Sequence, residues 1–272
     1  MTTPLRTLGS HAIGWLADRR LPKPLRAPAH RAFAALAKAD LAETRPPLDG
    51  YASVAAFFVR RLVDGARPIV EDPQLLPSPA DGRVQSVETI ANDTILQAKG
   101  QPYSARELLA GLDDDESGAD GRVELEGGLA LTVYLSPRDY HRVHCPEAGE
   151  LERVRWVDGA RFSVAPKVLL NRPRVFVRNE RAVLRLRSAR GTYFLVLVGA
   201  LNVGRIRVMG VEPGQERPTR QDPNFERGEE LGRFELGSTV ILLFPPGMAA
   251  ALPGLEPEDA LRMGEPLARL PD

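Results

Sequence analysis

The side chains of this sequence best suited to covalent or proton-transfer chemistry lie in three short segments. The first is Tyr134-Leu135-Ser136-Pro137-Arg138-Asp139-Tyr140-His141-Arg142-Val143-His144-Cys145-Pro146, which holds two of the chain's four histidines. Histidine suits general acid or base work because its pKa lies near the working pH. Ser136, Pro137 and Asp139 have the order of a helix N-cap, a first-turn proline and a capping-box carboxylate. Arg142-Val143-His144 then reads as extended until Pro146 stops it. On a strand, positions three apart point to opposite sides, so His141 and His144 need not share a face. Two structural histidines bonded to backbone groups would look the same in sequence. A metal pair is the rival reading, but this His-x-x-His spacing lacks an obvious third ligand nearby, and no metal site is expected.

The second segment is Gly232-Arg233-Phe234-Glu235-Leu236-Gly237-Ser238-Thr239-Val240. A Gly-Ser-Thr entering a strand is most often only a turn. Its chemical reading is sharper: Ser238 can attack the carbonyl carbon of Gly237, where no side chain blocks the approach. A histidine would have to take the serine proton, as for any activated hydroxyl nucleophile. The resulting ester can eliminate and leave a pyruvoyl group at a new N-terminus. The third segment is Pro77-Ser78-Pro79-Ala80-Asp81-Gly82-Arg83-Val84. Asp-Gly before a strand is usually a turn as well. A carboxylate beside an imidazole would nevertheless fix its tautomer, so Asp81 and Asp139 are both candidates for the third member of an Asp-His-Ser array.

The elements that must position these residues are mainly strands. Leu129, Leu131, Val133 and Leu135 alternate with smaller or polar neighbours, as does Val183-Leu184-Arg185-Leu186-Arg187. Thr192–Val198 and Val240–Phe244 are nearly continuous apolar runs, as buried strands require. Asp81-Gly82, Asp158-Gly159 and Arg190-Gly191 punctuate the runs as turns. Helical patterns are expected near Ser53–Leu62, burying Val54, Phe57, Phe58 and Leu62, and near Ser104–Leu109. The acidic stretch Asp113-Asp114-Asp115-Glu116 reads as a solvated loop without calcium-loop spacing. The fold class expected is α+β, a predominantly antiparallel β core with N-terminal amphipathic helices. Residues 1–46 form a helical segment ending at Pro46-Pro47, and residues 47–272 the β-rich domain.

The N-terminal segment has a distinct composition. From Met1 to Lys38 it carries the cations Arg6, Arg19, Arg20, Lys23, Arg26, Arg31 and Lys38 against the single anion Asp18. Leu5, Leu8, Ile13, Trp15 and Leu16 supply an apolar side, Pro22 and Pro24 interrupt it, and Phe33, Leu36, Ala37 and Leu41 follow at near-helical spacing. Such basic amphipathic helices lie on anionic lipid or pack on the main domain. No apolar stretch approaches the roughly 20 residues of a membrane span. Over the 272-residue chain, Lys plus Arg and Asp plus Glu number 36 each, so the basic excess of a general nucleic-acid binder is missing and nucleic acid is not an expected partner. The single cysteine, Cys145, excludes an internal disulfide framework.

Phe57-Phe58-Val59-Arg60, Pro79-Ala80-Asp81-Gly82, Leu96-Gln97-Ala98-Lys99-Gly100, Tyr134 to His144, Phe162-Ser163-Val164, Arg178-Asn179-Glu180-Arg181 and Gly232 to Phe244 run in order through most of the chain. Together they closely resemble the bacterial phosphatidylserine decarboxylase family, whose members are self-processing and pyruvoyl-dependent. The resemblance implies that Ser238 becomes a covalent pyruvoyl group after cleavage between Gly237 and Ser238. It implies Asp81 and His144 as the partners that activate Ser238, and His141 as the histidine of the decarboxylation step, delivering a proton. The products would be a β chain (1–237) and an α chain (238–272) that stay together without a covalent link, with a further homo-oligomer suggested. The reaction implied is phosphatidylserine to phosphatidylethanolamine through a Schiff base with the pyruvoyl group. A lipid substrate favours peripheral docking at the cytoplasmic side of the cell membrane. The segment from Val208 to Glu229 is compact for the family, and Cys145 reads as a small buried side chain. A pyruvoyl enzyme for a soluble amino acid would have no use for Trp15 and the basic cluster. A non-catalytic membrane-binding β protein would not need Asp81, His141, His144 and Gly237-Ser238 together.

Overall fold

Thr192–Val198 and Val240–Phe244 lack polar alternation because both faces of the strands they form are covered. A computed structural model describes residues 17–97, 101–114, 120–200, 206–219, 222–235 and 238–271. In chain order its elements are α1 (Lys23–Ala37), α2 (Val54–Phe58), β1 (Leu75–Pro77), β2 (Gly82–Thr89), β3 (Thr94–Leu96), β4 (Pro102–Ser104), α3 (Ala105–Leu109), β5 (Leu129–Leu135), β6 (Arg142–His144), β7 (Gly149–Val157), α4 (Pro166–Leu169) and α5 (Val175–Arg178). They continue with β8 (Arg181–Ser188), β9 (Gly191–Gly199), β10 (Ile206–Val208), β11 (Asn224–Phe225), β12 (Glu230–Phe234), β13 (Ser238–Phe244), β14 (Ala250–Ala251), β15 (Ala260–Leu261) and β16 (Pro266–Arg269).

Among the described residues the largest sheet has eight strands in the order β11-β7-β8-β9-β13-β5-β2-β15, every pair antiparallel. Smaller sheets follow the orders β10-β12-β6 and β1-β16-β14. Along β9, Tyr193, Leu195 and Leu197 enter one apolar cluster while Phe194, Val196 and Val198 enter another. Val240, Leu242 and Phe244 of β13 join the first cluster, and Ile241 and Leu243 the second. The two small sheets cover the first face through Val143, Ile206, Leu231, Phe234, Leu76 and Leu267. Helices α3 to α5 and the β3–β4 hairpin cover the second through Leu108, Leu169, Phe176, Ile95 and Tyr103. This is the α+β, mainly antiparallel architecture expected from the strand patterns.

Several local expectations change. Helix α1 starts at the interrupting prolines: Pro22 occupies the N-cap and Pro24 its first turn, where a missing N–H is harmless. Its buried side is His30 and Ala34, whereas Leu36 is 86% exposed and Leu41 lies beyond the Lys38 C-cap. His30 stacks on Phe57 at 4.9 Å and its ring nitrogens face the Leu48 and Ser53 carbonyls. Helix α2 is shorter than expected. Ser53 caps it, Phe57 and Phe58 are buried, and Leu62 leaves the helix to bridge Thr44 as strand-like backbone. Asp113 is buried, not solvated, and burial raises its carboxyl pKa. The apolar side expected over Leu5–Leu16, along with Asp115 and Glu116, lies outside the described residues.

Candidate active site

Ser238 opens β13, the strand held on one side by β9 and on the other by β5. Its register partners are Gly199 and Leu135. The residue is fully buried, and its Oγ has no hydrogen-bond partner among the described residues. A buried hydroxyl without a partner is costly, so such atoms tend to mark a site where something else is meant to bind or react. Leu236 and Gly237, the expected cleavage position, lie outside the described residues.

The β5–β6 connection carries the histidines past this strand start. Ser136 and Asp139 meet, but only half of the capping box forms: the Ser136 backbone N–H donates to Asp139 Oδ2 at 2.7 Å, and Ser136 Oγ donates to the same oxygen at 2.7 Å instead of accepting from Asp139 N. The segment is a single turn, closed by Asp139 N donating to Ser136 O, and no helix follows. His141 leaves that turn with its carbonyl accepting from Phe234 N at 3.0 Å. The β5–β6 connection is thus tied at both ends, by Leu135 opposite Ser238 and by His141 bonded to Phe234.

The two imidazoles occupy different environments. His141 is fully buried, with its ring 4.0 Å from the Phe58 ring. Its Nδ1–H donates to Asp139 O at 2.9 Å, and its Nε2 has no partner among the described residues. Burial, helped by the Arg60 charge, pushes its pKa down to about 3. The ring is therefore neutral, with a free lone pair on Nε2. His144 donates Nδ1–H to Gly228 O at 2.8 Å, and its Nε2 accepts from the Tyr140 hydroxyl at 3.0 Å. Burial lowers its pKa too, and the same burial pushes the Tyr140 phenol up to about 12. His144 and Tyr140 line an open cleft of about 300 Å³ with Arg45, Arg61, Arg142 and Glu230.

Asp81 is buried but makes no hydrogen bond to either imidazole. Arg67 grips it with two bonds, Nε to Oδ1 at 2.8 Å and Nη2 to Oδ2 at 2.6 Å, and Met263 N donates to Oδ1 at 2.8 Å. Arg67 also donates to Glu43, which in turn meets Arg262 at 3.0 Å. Burial alone would lower the Arg67 pKa, but its bonds to Asp81 and Glu43 outweigh that and raise it. Asp81 acts on both histidines through space, favouring their charged forms. Asp139 is committed to Ser136 and lies near Arg138. Arg67 and Tyr140 escaped the sequence reading. Arg67 sits in no motif, whereas the i, i+4 spacing of Tyr140 and His144 was visible but carries no signal by itself. Arg60, 3% exposed, was also missed as a site residue; its Nη2 donates to Arg138 O while Nε and Nη1 lack partners among the described residues.

Comparison with known proteins settles the lineage of this arrangement. The family model described as phosphatidylserine decarboxylase matches residues 54–269. The chain belongs to the phosphatidylserine decarboxylase family. It is 45% identical over 240 residues to the phosphatidylserine decarboxylase proenzyme of Xanthomonas campestris pv. campestris (strain B100), covering 85% of this chain and 83% of that protein. Identity to the proenzyme of Pseudomonas aeruginosa (strain LESB58) is 42% over 248 residues, 87% of this chain and 84% of the relative. For Herminiimonas arsenicoxydans it is 42% over 233 residues, 82% and 76% of the two chains. The match takes in every strand of the decarboxylase sheet, the histidine turn and the start of β13.

Proposed function

We propose that this decarboxylase converts phosphatidylserine to phosphatidylethanolamine with a pyruvoyl group made from Ser238 by scission of its own chain. The observation that carries the reading is the buried, unpartnered Oγ of Ser238 at the start of a central strand, in a chain matched along most of its length by this family. A base takes the Oγ proton as the oxygen bonds to the Gly237 carbonyl carbon, and the Gly237–Ser238 C–N bond breaks to leave an ester and a free amine. Loss of the Ser238 α-proton then expels the Gly237 carboxylate and leaves a dehydroalanine. Its imine tautomer takes up water and releases ammonia, which yields the ketone. Once formed, the pyruvoyl group supplies a carbonyl that captures the substrate amine and accepts the electron pair released as carbon dioxide leaves.

The residues divide the remaining work. Following the family pattern, His144 with Asp81 serves as base for Ser238, and His141 returns the proton during turnover. For this His144 must release the Tyr140 hydroxyl from its Nε2. One observation favours a second reading, in which His141 is the processing base. Its Nε2 has no hydrogen-bond partner among the described residues, so no bond has to be released before it meets the serine proton, although the burial that lowers its pKa weakens it as a base. Intact-mass spectrometry of purified variants separates the two. His144→Ala uncleaved with His141→Ala cleaved but slow supports the first reading; the reverse supports the second. Wild-type behaviour in both variants would remove the histidines from processing altogether.

Membrane docking is part of the same proposal. Helix α1 leaves Leu25 and Leu36 exposed, eleven residues apart and therefore on one face, and carries the exposed cations Lys23, Arg31 and Lys38 away from that face. This suits an anionic bilayer surface. Among the described residues no helix is long and apolar enough to cross a membrane. The decisive test of the function as a whole is Ser238→Ala. The expected result is a single uncleaved chain that releases no carbon dioxide from phosphatidylserine. An active, uncleaved variant would remove the pyruvoyl mechanism.

A further inference from the structure

The cleft that holds His144 does not end there. Its walls Arg45, Arg61 and Arg142 are shared with an adjoining cleft of about 340 Å³, whose remaining lining is Pro46, Pro47, Gly50, Tyr51, Ala56 and Val59. Polarity therefore changes from one cleft to the other across these shared arginines. One end has imidazole, phenol and carboxylate, the middle is cationic, and the far end is mostly apolar. The middle cations differ in how far they are neutralised. Arg142 is held by Glu230, and Arg45 faces Asp64 at 4.0 Å, both of that pair being solvent-exposed. Arg61 is exposed and has no ion pair or side-chain hydrogen bond among the described residues. Its backbone carbonyl accepts from Arg45 N at 2.9 Å, which sets the two residues opposite each other, and both line the two clefts.

We infer that Arg61, with Arg45 beside it, binds the phosphodiester of a glycerophospholipid whose headgroup amine end points to His144 and whose glycerol end lies against Pro46, Pro47 and Val59. The inference rests on the proposed lipid substrate and assigns the residues that hold it. A phosphodiester carries one negative charge between a small polar headgroup and an apolar glycerol ester, which is the order of chemistries across the two clefts. Guanidinium suits this role because its planar donors match phosphate oxygens and stay charged at any working pH. The anion would also supply Arg61 with the counter-charge that no ion pair among the described residues gives it.

The test uses processed enzyme and water-soluble dihexanoyl phosphatidylserine. Arg61→Ala should still appear as two chains by intact mass. Its KM should rise about tenfold with kcat within about twofold, the mark of an interaction made equally in ground and transition states. Arg61→Lys should recover most of the loss. An unchanged KM in Arg61→Ala, or a loss confined to kcat, would overturn the assignment. Glycerophosphoethanolamine should compete with substrate at concentrations where inorganic phosphate does not; equal competition would mark a general anion site and sink the headgroup assignment. If the wild type released no carbon dioxide, the decarboxylase reading would fail. Calorimetric binding of glycerophosphoethanolamine, lost in Arg61→Ala, would then still uphold the phosphodiester site, and its absence would remove it.

Discussion

His141 and His144 stand three residues apart in a motif that treats them alike, yet each has its own protonation problem. His141 stays neutral in the folded chain down to about pH 3, whereas an unfolded histidine titrates near 6.5. The unfolded state therefore binds a proton that the native state refuses, and stability falls as pH drops from about 6.5 towards 3. Above that window the residue has no effect on the pH dependence. Between pH 7 and 5 the loss attributable to this one site is about 2 kcal/mol, from a slope near 1.4 kcal/mol per pH unit. The lowered pKa of His144 adds in the same direction. Urea unfolding of the uncleaved Ser238→Ala protein, with and without His141→Gln, isolates the term. The double variant should lose less stability on acidification than its parent, and equal losses would show that His141 protonates freely in the folded state.

At the scale of elements, the short Asp81-Gly82 pair shows how a strand start sets a side chain. A Cβ at Gly82 would lie 2.3 Å from the Tyr134 carbonyl oxygen, because β2 passes the end of β5 with no room for a side chain. Gly82→Ala should therefore push β2 away from β5, lower the melting temperature by several degrees and slow processing by displacing Asp81. A cost of roughly 2–3 kcal/mol is expected for overpacking against backbone. An unchanged melting curve would mean that the strand yields without strain. This close approach was legible only as a turn signal. The strands themselves were read well, since the runs Thr192–Val198 and Val240–Phe244 state directly that both faces are buried. The N-terminal helix was read less well. The spacing of Phe33, Leu36, Ala37 and Leu41 did not say which side packs, and the helix turns His30 and Ala34 inward because the Leu48 and Ser53 carbonyls and the Phe57 ring await the imidazole. The Asp81 environment was hidden for a different reason. Arg67, Glu43 and Met263 come from three distant stretches, and nothing local in any of them announces that they meet.

The whole molecule has to survive the cut that the proposed mechanism makes in it. Cleavage after Gly237 would leave a C-terminal piece of 272 − 237 = 35 residues. That piece supplies β13 between β9 and β5, β15 beside β2, and β16 between β1 and β14. Val240, Ile241, Leu242, Leu243 and Phe244 are all essentially buried, so the piece cannot leave without opening the sheet on both sides and exposing both cores. Outside the sheet, Arg262 reaches Glu43 and Met263 N holds Asp81, which adds polar ties across the two chains. The processed protein should therefore run as one species in gel filtration and separate only on denaturation. Its unfolding then includes a dissociation that the uncleaved Ser238→Ala chain lacks, so its stability depends more steeply on concentration. A hundredfold dilution costs the two-chain form about 2.7 kcal/mol, which for a protein of this size lowers the melting temperature by roughly 5 °C. Reversible calorimetric scans of both forms at two concentrations measure this directly. A wild-type protein whose melting point responded to dilution no more than that of the Ser238→Ala chain would show that the C-terminal piece is not a separable chain.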